Sequence, residues 1–183
     1  MQYRYATEAD APDMAELFAA NHHDALTERQ RVEQGFVQGR FDVGALRAMA
    51  GARELLVADD GGRVAGLLAL SEPTTLADPS PPVAGLLLAQ EALEWQGRPL
   101  AEARWLLYGP VVVAAAYRGR GVARALFTMA VAAASERAEA VVAFIEAGNV
   151  PSWKVHVDGF GMVPLGDFVA GGRTYSAVAA PTH

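Results

Sequence analysis

The segment 105–147 constrains the fold more than any other part of this chain. Trp105–Ala114 is a Val- and Leu-rich run that reads as a strand buried on both faces, and Ala140–Ala147 is a second such run. Between them lie a glycine-rich turn and the stretch Val122–Arg137. There Val122, Ala125, Leu126, Met129, Ala130 and Ala133 recur at helical spacing on one inner face. Strand, helix, strand in that order predicts a right-handed parallel crossover.

The flanks add further elements. Gln2–Tyr5 alternates as a short strand, and Asp10 is placed as the N-cap of a helix to about residue 22, with Pro12 in its first turn. Helical stretches are expected over 27–35 and 42–50. A hairpin follows, Glu54–Ala58 with Val64–Leu70, turned by Asp59-Asp60-Gly61-Gly62. Four prolines make Ser71–Pro82 an irregular loop, and Ala84–Trp95 reads as a helix. A short helix at Ser152–Val157 and a last hairpin, Met162–Val169 with Arg173–Val178, complete the chain. The order predicts a central mixed sheet of about six to seven strands with helices on both faces, in the α/β (mixed α+β) class.

At 183 residues the chain fits one domain, 1–183, with an extra loop and helix at about 71–104. No cysteine is present, which excludes disulfides, thiolate nucleophiles and cysteine metal sites. The net charge of −6, with arginines scattered except around 118–124, argues against a nucleic-acid partner. Apolar runs are broken before the roughly 18 residues a membrane helix needs. Met1–Tyr5 lacks the pattern of a secretory signal, so a cytoplasmic protein is expected, with no membrane partner. Adjacent His22 and His23 diverge by about 100° on a helix and are not read as metal ligands, so no metal is expected. Trp95 and Trp105 are assigned to core or dimer packing, which leaves a homodimer open.

The turn Ala116-Tyr117-Arg118-Gly119-Arg120-Gly121-Val122-Ala123-Arg124 carries the chemistry. Gly119 and Gly121 allow a tight turn and close approach of an anion. The loop opens a helix, whose free N–H groups and positive dipole end attract negative charge. Three arginines add donors suited to phosphate. A surface turn that happens to carry arginines would look the same. A dinucleotide fingerprint fails because Arg124 stands at the third glycine position, and a P-loop fails for want of Gly-Lys-Ser/Thr.

Arg118-x-x-Gly121-x-Ala123 resembles the Arg/Gln-x-x-Gly-x-Gly/Ala motif of the GNAT N-acetyltransferase superfamily, and Asn149-x-x-Ser152 resembles its downstream turn. The resemblance implies that Arg118, Gly119, Arg120, Gly121, Val122, Ala123 and Arg124 hold the pyrophosphate of acetyl-CoA. It implies also that backbone groups of Val111, Val112 and Val113 pair with the pantetheine arm, and that Asn149 and Ser152 contact the cofactor. The family's acid, often a Tyr, would be replaced here by His156, and Glu146 is the candidate base. The expected activity is transfer of an acetyl group to a primary amine of a small molecule or amino acid, by direct attack in a ternary complex. A catalytically silent acyl-CoA sensor and a protein or peptide N-acetyltransferase are the alternatives. Ser152, His156 and Asp158 form only a superficial hydrolase set, with no Gly-x-Ser-x-Gly elbow.

Overall fold

The computed structural model describes residues 1–37, 40–75 and 78–183. In chain order its elements are β1 (Gln2–Tyr5), α1 (Ala11–Asn21), α2 (Glu28–Gln34), α3 (Val43–Gly51), β2 (Leu55–Asp59) and β3 (Val64–Ser71). There follow α4 (Pro81–Ala89), β4 (Glu94–Trp95), β5 (Arg98–Pro99), β6 (Trp105–Val113) and α5 (Val122–Ala134). The last are β7 (Ala140–Glu146), α6 (Val150–Trp153), β8 (Val163–Ala170) and β9 (Arg173–Pro181). Seven strands form one mixed sheet in the order β1-β2-β3-β6-β7-β9-β8. β6 and β7 run parallel; β1–β2, β2–β3, β7–β9 and β8–β9 are antiparallel. The fold class is therefore the expected mixed α/β, with a parallel β6–α5–β7 crossover. Among the described residues no helix is long and apolar enough to cross a membrane.

Backbone proximity groups the chain into two compact units, residues 1–70 with 108–130, and residues 71–107 with 131–183. In the first unit, Met14, Leu17 and Phe18 of α1 and Leu46 of α3 bury against Leu55, Val57 and Leu67 of the β2–β3 hairpin. α5 lies close on β3 because Gly66 has no side chain: a Cβ there would stand 3.0 Å from Val122 and 3.2 Å from the Val112 carbonyl. Arg4 fastens the start of the unit. Its guanidinium donates twice to Asp10 at 2.8 Å and twice to Asp59, at 2.9 and 3.2 Å, joining β1 to the head of α1 and the end of β2. Asp10 stands at the N-cap position of α1, as expected, yet its carboxylate makes no cap bond. It turns back to the Thr7 N–H at 2.7 Å and to Arg4, since a paired guanidinium outbids a lone amide.

In the second unit, Val83 and Leu86 of α4 bury with Trp95, Leu100, Trp105, Val142, Phe168 and Tyr175. The helix expected over Ala84–Trp95 is instead Pro81–Ala89. It begins earlier because proline suits a first turn. It ends earlier because Trp95 belongs to a two-residue hairpin, turned by Gln96 and Gly97 at φ 51° and 83°. That hairpin carries the Trp95 ring into the core, in accord with the packing role. Of the irregular stretch 71–82, residues 76 and 77 lie outside the described residues. β6 is buried from Trp105 to Tyr108 but only partly so at Gly109–Val111, which corrects the expectation of burial throughout. Its parallel ladder comprises Trp105↔Ala140, Leu106↔Val141 and Leu107↔Val142. Beyond these, Gly109 takes φ 107° and Pro110 has no N–H, so a regular ladder cannot continue through them.

Gly85 marks the closest approach of α4 to β8: a Cβ there would stand 2.7 Å from the Ala170 Cβ. Gly85→Leu gains about 1 kcal/mol of helix propensity but loses about 1–3 kcal/mol to overpacking or more; the urea midpoint is expected to fall. The Arg4 guanidinium, through its hydrogen bonds, holds the Asp10 carboxyl down at about 2, against about 3.9 in an unfolded chain. Because the folded value is the lower one, this stabilisation is complete above the unfolded value and is lost as pH falls through the folded one. Asp10→Asn should lower the urea midpoint at neutral pH, and the gap between the two proteins should close in strong acid.

Candidate active site

The loop after β6 is set by backbone first. The Ala114 N–H donates to the Ala65 carbonyl at 2.9 Å, which ties the end of β6 to β3. A tight turn follows, with the Tyr117 N–H on the Ala114 carbonyl at 2.8 Å. Gly119 and Gly121 both take left-handed conformations, φ 71° and 79°, which favour glycine. A Cβ built on either would meet nothing within 4 Å, so the space before both is open. α5 then begins at Val122, and its first helical bond runs from the Ala125 N–H to the Gly121 carbonyl at 3.0 Å. The amides of the preceding turn have no helical carbonyl to take them, which leaves the helix head electropositive.

The three arginines of the loop are not equivalent. Arg120 and Arg124 are exposed, and the Arg120 guanidinium lies 5.7 Å from the Tyr117 ring centroid. Arg118 turns inward. Its Nε donates to the Val113 carbonyl at 3.2 Å, one terminal nitrogen to Gln34 Oε1 at 2.5 Å and the other to Asn21 Oδ1 at 2.5 Å. All three acceptors are neutral, and among the described residues no carboxylate pairs with Arg118. Burial without a counter-ion pushes its pKa below the ordinary arginine value. Tyr117 packs beside the loop, its hydroxyl donating to Asp60 at 2.8 Å; that bond raises the phenol's pKa. Of the valines, Val112 is buried in the core of the first unit, while Val111 and Val113 are half-buried.

In the second unit β7 ends at Glu146, and Gly148, at φ 89°, turns the chain into α6. Asn149 is buried and caps that helix, its Oδ1 accepting from the Ser152 N–H at 3.3 Å. The expected helix over Ser152–Val157 is α6 followed by a wider π-turn at Lys154–Gly159. Such turns displace side chains relative to a regular helix and gather at functional sites. This one sets the His156 Nδ1 2.8 Å from the Ser152 carbonyl and 3.3 Å from the Ser152 hydroxyl. The ring stands edge-on to Phe160, with centroids 5.4 Å apart. A carbonyl oxygen only accepts, so Nδ1 carries the proton and Nε2 is the basic nitrogen. Burial outweighs the Ser152 bond and lowers the pKa of His156, which favours the neutral imidazole. Glu146 accepts from Arg173 at 2.7 Å.

Asn149, Ser152 and His156 thus form one local chain of hydrogen bonds, and Glu146 stands at the strand end that precedes it. Asn21 and Gln34 escaped the sequence reading altogether. They lie 97 and 84 positions from Arg118, and no local pattern marks either. His22, His23 and Asp24 form a helix-end turn, with Asp24 on Arg40 at 2.6 Å. No group of three or more potential metal ligands occurs among the described residues.

Known proteins bear on these features. No curated protein matches the chain in sequence. Solved structures share its fold over nearly the whole length. Ribosomal-protein-alanine N-acetyltransferase from Brucella melitensis is 20% identical, with 99% of each chain covered and a TM-score of 0.63. The protein yncA from Salmonella typhimurium, solved with its cofactor acetyl-CoA, is 18% identical. That match covers 100% of this chain and 94% of the other, with a TM-score of 0.65. An N-acetyltransferase from Staphylococcus aureus Mu50 is 17% identical, over 100% and 98% of the two chains, at a TM-score of 0.63. The model of the acetyltransferase (GNAT) family matches residues 12–162, which include the glycine loop and the Asn149 turn. The chain belongs to the GNAT acetyltransferase family.

Proposed function

We propose that this protein transfers an acetyl group from acetyl-CoA to a primary amine of a small molecule or amino acid. The observation that carries the reading is Arg118, a partly buried guanidinium without a carboxylate, beside two open left-handed glycines at the head of a thirteen-residue helix. A diphosphate would supply the missing counter-charge and take the amides of the helix head. Gly119, Arg120, Gly121, Val122, Ala123 and Arg124 complete that cradle, and Val111–Val113 offer strand backbone to the pantetheine arm.

The chemistry is a direct exchange. The amine nitrogen forms a bond to the thioester carbonyl carbon, the C–S bond breaks, one proton leaves the nitrogen and one reaches the departing thiolate. An alkylammonium, with a pKa near 10, must first lose a proton. The proton on Nδ1 and the lowered pKa fit His156 to accept that proton at Nε2, and so to act as a base where the family resemblance suggested an acid. Glu146, held by Arg173, is the second candidate and acts as a fixed negative charge for an approaching ammonium. Asn149 and Ser152 orient the imidazole.

Peptide acceptors stay in the test because a ribosomal-protein-alanine N-acetyltransferase shares the fold. Thiol release from acetyl-CoA across amines, amino acids and peptides is the measurement; the chain has no cysteine to add background. Turnover with small amines supports the reading, turnover confined to peptides moves the acceptor class, and binding without turnover favours a silent acyl-CoA module. Gly121→Glu, which fills the open space and strains a left-handed position, should abolish acetyl-CoA binding; undiminished binding overturns the loop assignment.

His156→Gln should lower kcat about 100-fold or more with little change in acetyl-CoA affinity. The same substitution should remove the acid limb of the kcat/KM profile, which in the parent lies below the ordinary histidine pKa of about 6.5. A larger loss in Glu146→Gln would transfer the base to Glu146.

A further inference from the structure

We infer that Asn21 and Gln34 are positioning residues for the donor site, holding the Arg118 guanidinium in place with neutral amide oxygens so that its charge remains for the coenzyme diphosphate. The inference rests on the assignment of the glycine loop to acetyl-CoA and goes beyond it, since neither residue belongs to the motif.

Three observations carry it. Asn21 is buried at the last position of α1, and its orientation is fixed at both ends: Nδ2 donates to the Leu17 carbonyl at 2.8 Å, and Oδ1 accepts from Arg118 at 2.5 Å. Gln34, at the last position of α2, accepts from the other terminal nitrogen at 2.5 Å. With Nε on the Val113 carbonyl, three of the five donors of the guanidinium are used, and one N–H remains on each terminal nitrogen. An Asp or Glu at either position would reach the same nitrogen and give a stronger bond, but would also neutralise the charge. Arg4, by contrast, is held by the carboxylates of Asp10 and Asp59, which neutralise its charge. The choice of amide over carboxylate around Arg118 stabilises the fold less and leaves an anion more to gain.

Two substitutions and two donors test this. Asn21→Asp and Gln34→Glu preserve the acceptor at Arg118 while adding a counter-ion. Gln34→Glu should leave the melting temperature unchanged or raise it, whereas Asn21→Asp also loses the donor to the Leu17 carbonyl and should lower it. Both should lower kcat/KM for acetyl-CoA by on the order of tenfold, chiefly through KM. With acetyl-pantetheine, which has no diphosphate, kcat/KM should stay within about twofold of the parent. A purely structural role for either residue would affect both donors alike. Gln34 is exposed, so its variant keeps the test open if Asn21→Asp does not fold. A parent that prefers acetyl-CoA, with folded variants that keep the preference in full, overturns this inference alone. A parent that uses both donors equally overturns the loop assignment and this inference with it.

Discussion

A guanidinium that is partly withdrawn from water must find acceptors for its donors, and the first unit of this protein is organised around that requirement at Arg118. The loop that bears it is pinned at Ala114 to β3 and closes at once into α5, and the side chain turns inward, half-buried. It is therefore met by the ends of α1 and α2 and by the last carbonyl of β6. Three elements converge on one planar group. Its geometry is satisfied and its charge is not, which is the state an anion site needs before the anion arrives.

The second unit solves a different problem with equal economy. Which nitrogen of a histidine carries the proton, and whether it takes a second one, is set by the groups around it. The Ser152 carbonyl fixes the proton on Nδ1, and burial disfavours a second one. The carbonyl is available because the π-turn after α6 places His156 over it, and α6 is itself capped by Asn149. The spacing Asn149, Ser152, His156 thus has a local mechanical cause, whatever it touches in a complex.

Much of this was legible in advance, and the reasons differ by element. The β6–α5–β7 unit stood out because hydrophobic period changes from strand to helix and back within one segment, and a βαβ crossover needs only local rules. The left-handed glycines of the loop were legible because few other residues take that conformation. The end of α4 was not. Nothing in Ala84–Trp95 interrupts the apolar spacing, and only the burial of Trp95 beside Leu93 and Leu100 turns the chain into a hairpin. Asp10 was placed correctly and given the wrong partner, because its competitor for hydrogen bonds, Arg4, lies on another element.

The sequence by itself determined the order of strands and helices, the glycine loop at a helix head and the local turn from Asn149 to His156. Each depends on residues within about one helical turn or one strand of one another. Only the tertiary structure decided how the charges are used. Three arginines of one loop look alike on paper, yet one is drawn inward to two amides far away in the chain while the other two are exposed. Tautomer and protonation at His156 likewise follow from burial and a carbonyl direction. Electrostatics and desolvation are sums over three-dimensional neighbours, and no linear spacing encodes them.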